Sequence, residues 1–319
     1  MPVIYDRWTG GTKQHRTGFS VGRKSYGKTT QQEKMMELLL IRSKWDMPEM
    51  PLHIFLERLK EAGFNGAEIH FEKAPDNPQE TVETFRRLGM HLVAMITSEG
   101  KTAEEHISSF QQKLQYVKDL KPVHINCHTG KDYFPLHENV KVFQRALELS
   151  RDNGLSVSHE THRGRATYSA PATRDLLNAL PDLTLTADFS HWCCVHESLL
   201  EDQPEAMQLA IARTAYIHAR VGHMEGPQVS DPRAPEWQKE VQTHLGWWER
   251  IAEQQRERGA SFLAICPEFG PAPYMPALPY TRQPVANLWE ITVHMKDLVR
   301  KACGDRGPTP PARNAKKGV

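Results

Sequence analysis

At 319 residues, with 39% hydrophobic and 25% charged residues, the chain has the composition of a globular protein that buries a substantial core. Forty basic residues against 39 acidic ones leave a net charge of +1, which excludes a global field for nucleic acid or an anionic membrane. No apolar run approaches the roughly 20 residues that span a bilayer. The start lacks the apolar core of a secretory signal.

In chain order, residues 1–35 open on a stretch rich in Gly, Thr, Lys and Arg, with Asp6 its only acid up to position 32. Without an amphipathic stripe, this reads as a loosely ordered arm rather than a transit segment. Short apolar runs then recur eight times: 36–41 (MELLLI), 66–71 (GAEIHF), 91–96 (HLVAMI), 123–127 (VHINC), 155–159 (LSVSH), 183–187 (LTLTA), 215–218 (AYIH) and 261–266 (SFLAIC). None alternates strictly, as expected of parallel strands covered on both faces. The segments between them carry helical periodicity. Leu52, Phe55, Leu56 and Leu59 mark one helix that stops at Ala62-Gly63. Val140, Phe143 and Leu147 mark a second. Trp237, Val241, Leu245, Trp248 and Ile251 mark a third, and Leu288, Ile291, Met295 and Leu298 mark the last. Eight strand-then-helix units predict an α/β fold, a single-domain (β/α)₈ TIM barrel over residues 36–302. An open doubly wound sheet is the competitor, and no GxGxxG turn follows the first run to support it. Residues 303–319, rich in Pro, Gly and basic residues, read as a disordered tail.

In such barrels the active site forms at the C-terminal ends of the strands. The last four runs end on Glu160 (SHETHRG), Asp188 (TADFSHW), His218 (YIHARVGH) and Glu268 (CPEFGP). Taken singly, each could be a satisfied polar group; four in succession point to a metal site. Carboxylate oxygens and one imidazole suit manganese, cobalt, magnesium or zinc, and the absence of thiolate argues against a soft metal. His70 and His128 end two earlier runs and read equally well as buried, hydrogen-bonded histidines or as functional ones. His162 and Arg163 follow Glu160, His191 follows Asp188, and Arg220 follows His218. Trp192 joins other loop aromatics that could pack on the C–H face of a sugar. Five cysteines, an odd number without a CxxC pair, argue against a disulfide framework and for a reducing, cytoplasmic setting. The adjacent Cys193 and Cys194 read as inert.

These motifs resemble the xylose isomerase-like barrel superfamily, often labelled sugar phosphate isomerase/epimerase, over roughly residues 36–302. The carriers are the Glu160–Asp188–His218–Glu268 quartet and the Asp-x-x-His pattern completed by His191. The resemblance implies one divalent ion on the quartet, with Glu160 and Glu268 also moving the proton. It implies Asp188 and His218 as ligands only, and His191 and Arg220 on substrate oxygens. Arg220 is a looser match, since the family's arginine stands further past its histidine. Arg163-Gly-Arg165, the long 222–236 loop and the Pro-rich 270–284 segment depart from the epimerases and remodel the substrate side.

The expected activity is a metal-dependent sugar isomerase or epimerase acting on a ketose through a metal-stabilised enediolate. The alternative is a keto-sugar lyase or dehydratase that uses the same enolate, with His162 as general acid. A nuclease resembling endonuclease IV is a remote third reading. Against it, Asp231 is followed by Pro232 and Arg233 where a third metal would need Asp-x-His. The expected partner is a small carbohydrate, with no nucleic acid and no membrane; the outer helices leave homo-oligomerisation open.

Overall fold

A computed structural model describes residues 35–304. The arm assigned to 1–35 and the tail assigned to 303–319 lie, except at their inner ends, outside the described residues. The order of elements is β1 (Glu37–Ser43), α1 (Leu52–Glu61), β2 (Gly66–His70), α2 (Pro78–Leu88), β3 (His91–Thr97), α3 (Ala103–Lys118), β4 (His124–His128), α4 (Leu136–Asp152) and β5 (Val157–Glu160). Then follow α5 (Ala170–Ala179), β6 (Leu185–Ala187), α6 (Ser190–His196), α7 (Pro204–Arg213), β7 (Thr214–His218), α8 (Gln238–Glu257), β8 (Phe262–Cys266) and α9 (Leu288–Cys303). The eight strands pair in parallel, in sequence order, and β8 closes on β1. This is the (β/α)₈ barrel expected from the sequence.

Side chains alternate along each strand, so parity decides which face each residue serves. Ile125, Cys127, Ile217, Leu263 and Ile265 face outward into the shell core shared with the helices. That shell takes the apolar stripes Phe55, Leu56 and Leu59 of α1, and Ile291, Met295 and Val299 of α9. Leu39, Ile41, Val93, Tyr216, Ala264 and Cys266 form a separate, smaller cluster inside the barrel. The buried polar side chains His124, Ser158 and Thr186 share this interior, and the inward positions that end the strands above it build the mouth.

Several helices start where their sequence says they should. Asn77, Thr102, Ser169 and Asn287 accept hydrogen bonds from backbone N–H groups of the first turn. The crossover from β6 to β7 departs from a plain strand–helix unit, because it contains both α6 and α7. The short α6 carries His191 beside Asp188. Trp237 belongs to a 3₁₀ turn (Pro235–Trp237) leading into α8 rather than to the helix itself, and its indole donates to Ser230 Oγ. Gly222, after β7, has no room for a side chain: a Cβ there would lie 2.7 Å from the Ser190 backbone. This close approach seats the post-β7 chain carrying Arg220 against the start of α6.

Candidate metal centre

Glu160 is the last residue of β5, Asp188 follows β6, His218 ends β7 and Glu268 stands two residues beyond β8. All four have inward parity and all are buried, at 1%, 0%, 1% and 5% exposure. One ligand atom from each can be chosen so that all lie within 4.8 Å of one another. His218 Nδ1 stands 3.0 Å from Glu268 Oε2 and 3.4 Å from Glu160 Oε2. Two carboxylates about 4 Å apart repel by about 4 kcal/mol at an effective dielectric of about 20. Three of them on one point therefore require positive charge. Arg220 supplies part of it, bonding Asp188 and standing 3.3 Å from Glu268.

The donor set fits a divalent cation. Oxygen with a single imidazole nitrogen is the chemistry of manganese, magnesium, cobalt or zinc sites. His218 Nδ1 and Glu268 Oε2 form no hydrogen bond of good geometry, and the charged atoms beside them, each other, Glu160 and Arg220, belong to the same site. Other contacts aim the ligands from behind. Asn126 Nδ2 donates to Glu160 Oε2 at 2.6 Å, His128 Nε2 lies 3.0 Å from the same oxygen, and Ser190 donates to Asp188. His218 Nε2 contacts Glu68 Oε2 at 3.0 Å.

The titration behaviour follows from this crowding. Burial alone would raise the Glu160 carboxyl, but the His128 and His218 rings outweigh it and hold it well below the usual range. Glu268 likewise overcomes burial, through His218 and Arg220, and falls to about 2. Burial wins at Asp188, which rises to about 6 despite Arg220. Burial opposes charge on His218, yet Glu268, Glu68 and Glu160 together push it well above its ordinary value.

Over the centre opens a cavity of about 450 Å³, a size that suits a small molecule. Glu160 and Glu268 line it, together with His70, His128, His162 and Arg220. The rings of His128 and His162 lie 4.3 Å apart, and those of His162 and His191 lie 3.9 Å apart. His191 itself is buried behind this stack, with Nε2 3.1 Å from Arg220. His70 stands at the rim, with Nε2 3.2 Å from Thr97 Oγ1. Arg163 is exposed and lies over the Tyr274 ring. Trp192 is not brought to the mouth. It is fully buried against Phe189, with its indole N–H on the Thr167 carbonyl. Adjacency to His191 misleads here because consecutive residues on a helix point about 100° apart. Burial pushes the Cys193 thiol up, away from reactivity.

Sequence reasoning missed Trp45, Lys44 and Glu68. Trp45, in the loop after β1, meets Tyr274 edge to face at 5.0 Å and forms an aromatic wall of the cavity. Gly270 leaves space for that indole, which a Cβ would strike. Glu68 had a visible signal, an acid between Ala67 and Ile69 inside an apolar strand.

The chain matches the xylose isomerase-like TIM barrel family over residues 56–228, and it belongs to that family. Among similar solved structures is a probable 3-DHS dehydratase, AsbF, from Bacillus anthracis: 14% identity, TM-score 0.54, 86% of this chain and all of that one. The 3-keto-D-glucoside 4-epimerase YcjR from E. coli has 14% identity and a TM-score of 0.52, over 83% of this chain and 100% of its own. Endonuclease IV from Thermus thermophilus has 14% identity and a TM-score of 0.51, over 82% of this chain and 98% of its own. At this identity they share the fold. No curated protein matches the chain. Among the described residues no helix is long and apolar enough to cross a membrane.

Proposed function

We propose that the chain is a divalent-metal-dependent isomerase or epimerase that moves a proton at the carbon beside the carbonyl of a ketose or related small sugar. One observation carries this reading. Glu160 and Glu268 line the cavity, whereas Asp188 and His218 are buried outside its lining. Two members of the quartet can therefore serve both cation and substrate, and the other two the cation alone.

A cation held by Glu160, Asp188, His218 and Glu268 supplies a Lewis acid that makes the C–H beside a carbonyl more acidic. Glu160 and Glu268, both held ionised by their neighbours, approach the cavity from different strands, β5 and β8. One takes the proton; the other returns it, to the opposite face for epimerisation. Arg220 presents its guanidinium to substrate oxygens, backed by His191. Trp45 and Tyr274 pack on the apolar C–H face of the ring and exclude water. His70 and His128 complete the polar lining, with Arg163 over the Tyr274 ring.

The His162 ring favours proton return by carboxylate over elimination. Its Nδ1 lies 2.6 Å from the Arg163 carbonyl oxygen, which can only accept, so Nδ1 carries the proton. Burial, reinforced by His128, holds the ring's pKa down at about 3. The neutral ring offers a lone pair at Nε2 and acts as an acceptor for a substrate hydroxyl, not as the acid a lyase needs. The net charge of +1, and an Asp231 tied to Arg233 at 2.8 Å, support a small-molecule substrate over nucleic acid.

The test is turnover of free ketoses and 3-keto sugars in D₂O by the metal-loaded protein, followed by NMR. A product of unchanged mass apart from one solvent deuterium at the reacting carbon is expected. Glu160→Gln and Glu268→Gln should each lower the rate about 100- to 10,000-fold. An unsaturated or cleaved product would transfer the assignment to a lyase. Wild-type turnover in either variant would overturn the proton-transfer pair.

A further inference from the structure

Among the inward-facing residues below the mouth, Glu68 stands apart. It sits mid-strand in β2, 1% exposed, level with Val93 of β3, and it does not line the cavity. Its register partners are Ser43 on β1 and Val93 on β3, and the cluster of Leu39, Ile41, Tyr216 and Ala264 lies inside the same barrel. A carboxylate there is costly, and one of its oxygens, Oε1, finds no hydrogen-bond partner. Packing therefore does not explain its presence. Its other oxygen lies 3.0 Å from His218 Nε2.

We propose that Glu68 is a positioning residue for the metal centre, gripping His218 by Nε2 so that Nδ1 is presented to the cation. The proposal rests on the metal reading given above. The torsion that turns an imidazole about its bond to Cβ is broad, so the ring needs a contact to choose one face. Tyr216, one inward position below on β7, meets His218 edge-on at 5.1 Å and supports the ring without selecting a nitrogen. Asn126 Nδ2 also lies 3.4 Å from Nε2, but an amide N–H can only donate, and its shorter bond goes to Glu160 at 2.6 Å. Among the described residues Glu68 alone offers Nε2 an acceptor at hydrogen-bond distance, which keeps a proton there and turns Nδ1 toward Glu160 and Glu268, where it can give up its own proton to a cation. Metal-bound histidines are commonly oriented in this way by a carboxylate on the far nitrogen, and loss of that partner typically weakens the metal about 10- to 100-fold.

The experiment is calorimetric titration of Mn²⁺ into the full chain, freed of metal, for the wild type, Glu68→Gln, Glu68→Ala, His218→Ala and the Glu68→Ala/His218→Ala double variant. Glu68→Ala should bind about 10- to 100-fold more weakly. Glu68→Gln keeps an acceptor for Nε2 and should fall between it and the wild type. In the His218→Ala background, loss of Glu68 should cost nothing further, because the effect passes through the ring. Absorption bands of the Co²⁺ form should shift in Glu68→Ala, reporting a changed nitrogen ligand. If Glu68→Ala does not fold, the Gln variant decides: wild-type affinity and an unchanged cobalt spectrum overturn the proposal. Folded Glu68→Ala with wild-type affinity overturns it equally. A wild type that takes up no cation overturns the metal reading itself, and is distinguished by its own titration.

Discussion

His218 lies among Glu68, Glu160 and Glu268, and the three carboxylates hold its proton well above the ordinary imidazole value although burial opposes it. A cation ligated by Nδ1 must expel a proton, so protons compete with metal and affinity rises with pH. The expected slope is up to about tenfold per pH unit for one proton released. Below about pH 6 the slope should steepen, because Asp188, raised by burial to about 6, then binds a proton as well. Mn²⁺ titrations across neutral pH, in buffers of different ionisation enthalpy, measure both the slope and the proton count. An affinity indifferent to pH would contradict this account of His218. The quartet was legible in the sequence because each member closes an apolar run where barrel chemistry is built. Glu68 was overlooked because it lies two positions before the strand end. Parity identifies it afterwards: Glu68 and His70 share a face, as do Tyr216 and His218.

At the scale of elements, periodicity placed all eight strands within about two residues of where they stand, since buried parallel strands and amphipathic helices leave different apolar patterns. The loops were less legible, because their conformation depends on what they meet. Trp45 follows β1 and Tyr274 follows β8, far apart in sequence, yet β1 and β8 are hydrogen-bonded neighbours and bring the rings together. The Tyr274 ring also lies 4.8 Å from the Arg220 guanidinium carbon. Under the proposed function this wall faces the substrate, and neither ring belongs to the quartet. Tyr274→Ala should therefore raise KM by about tenfold, the loss of one aromatic contact of about 1.4 kcal/mol, with kcat less affected. Metal content should remain at the wild-type level. Steady-state kinetics alongside elemental analysis check both halves. Loss of metal with the tyrosine would mean that the loop supports the centre rather than the substrate.

At the scale of the whole molecule, the closed barrel does two jobs with one set of strands. Its outward residues bury the helices, and its inward residues gather carboxylates and an imidazole at the mouth. The family and the placement of the donors follow from that division, which repeats strand by strand and so shows in the sequence. Substrate identity does not, because the loops that vary above a constant barrel decide it. The central claim is that the quartet holds one divalent cation. The most direct test is elemental analysis of the purified chain after incubation with Mn²⁺, Co²⁺, Mg²⁺ or Zn²⁺, beside a folded Glu160→Ala/Glu268→Ala variant. The account predicts about one tightly held ion per chain in the wild type and its loss in the variant. No retained ion with any of the four metals, or equal retention in the variant, would contradict it.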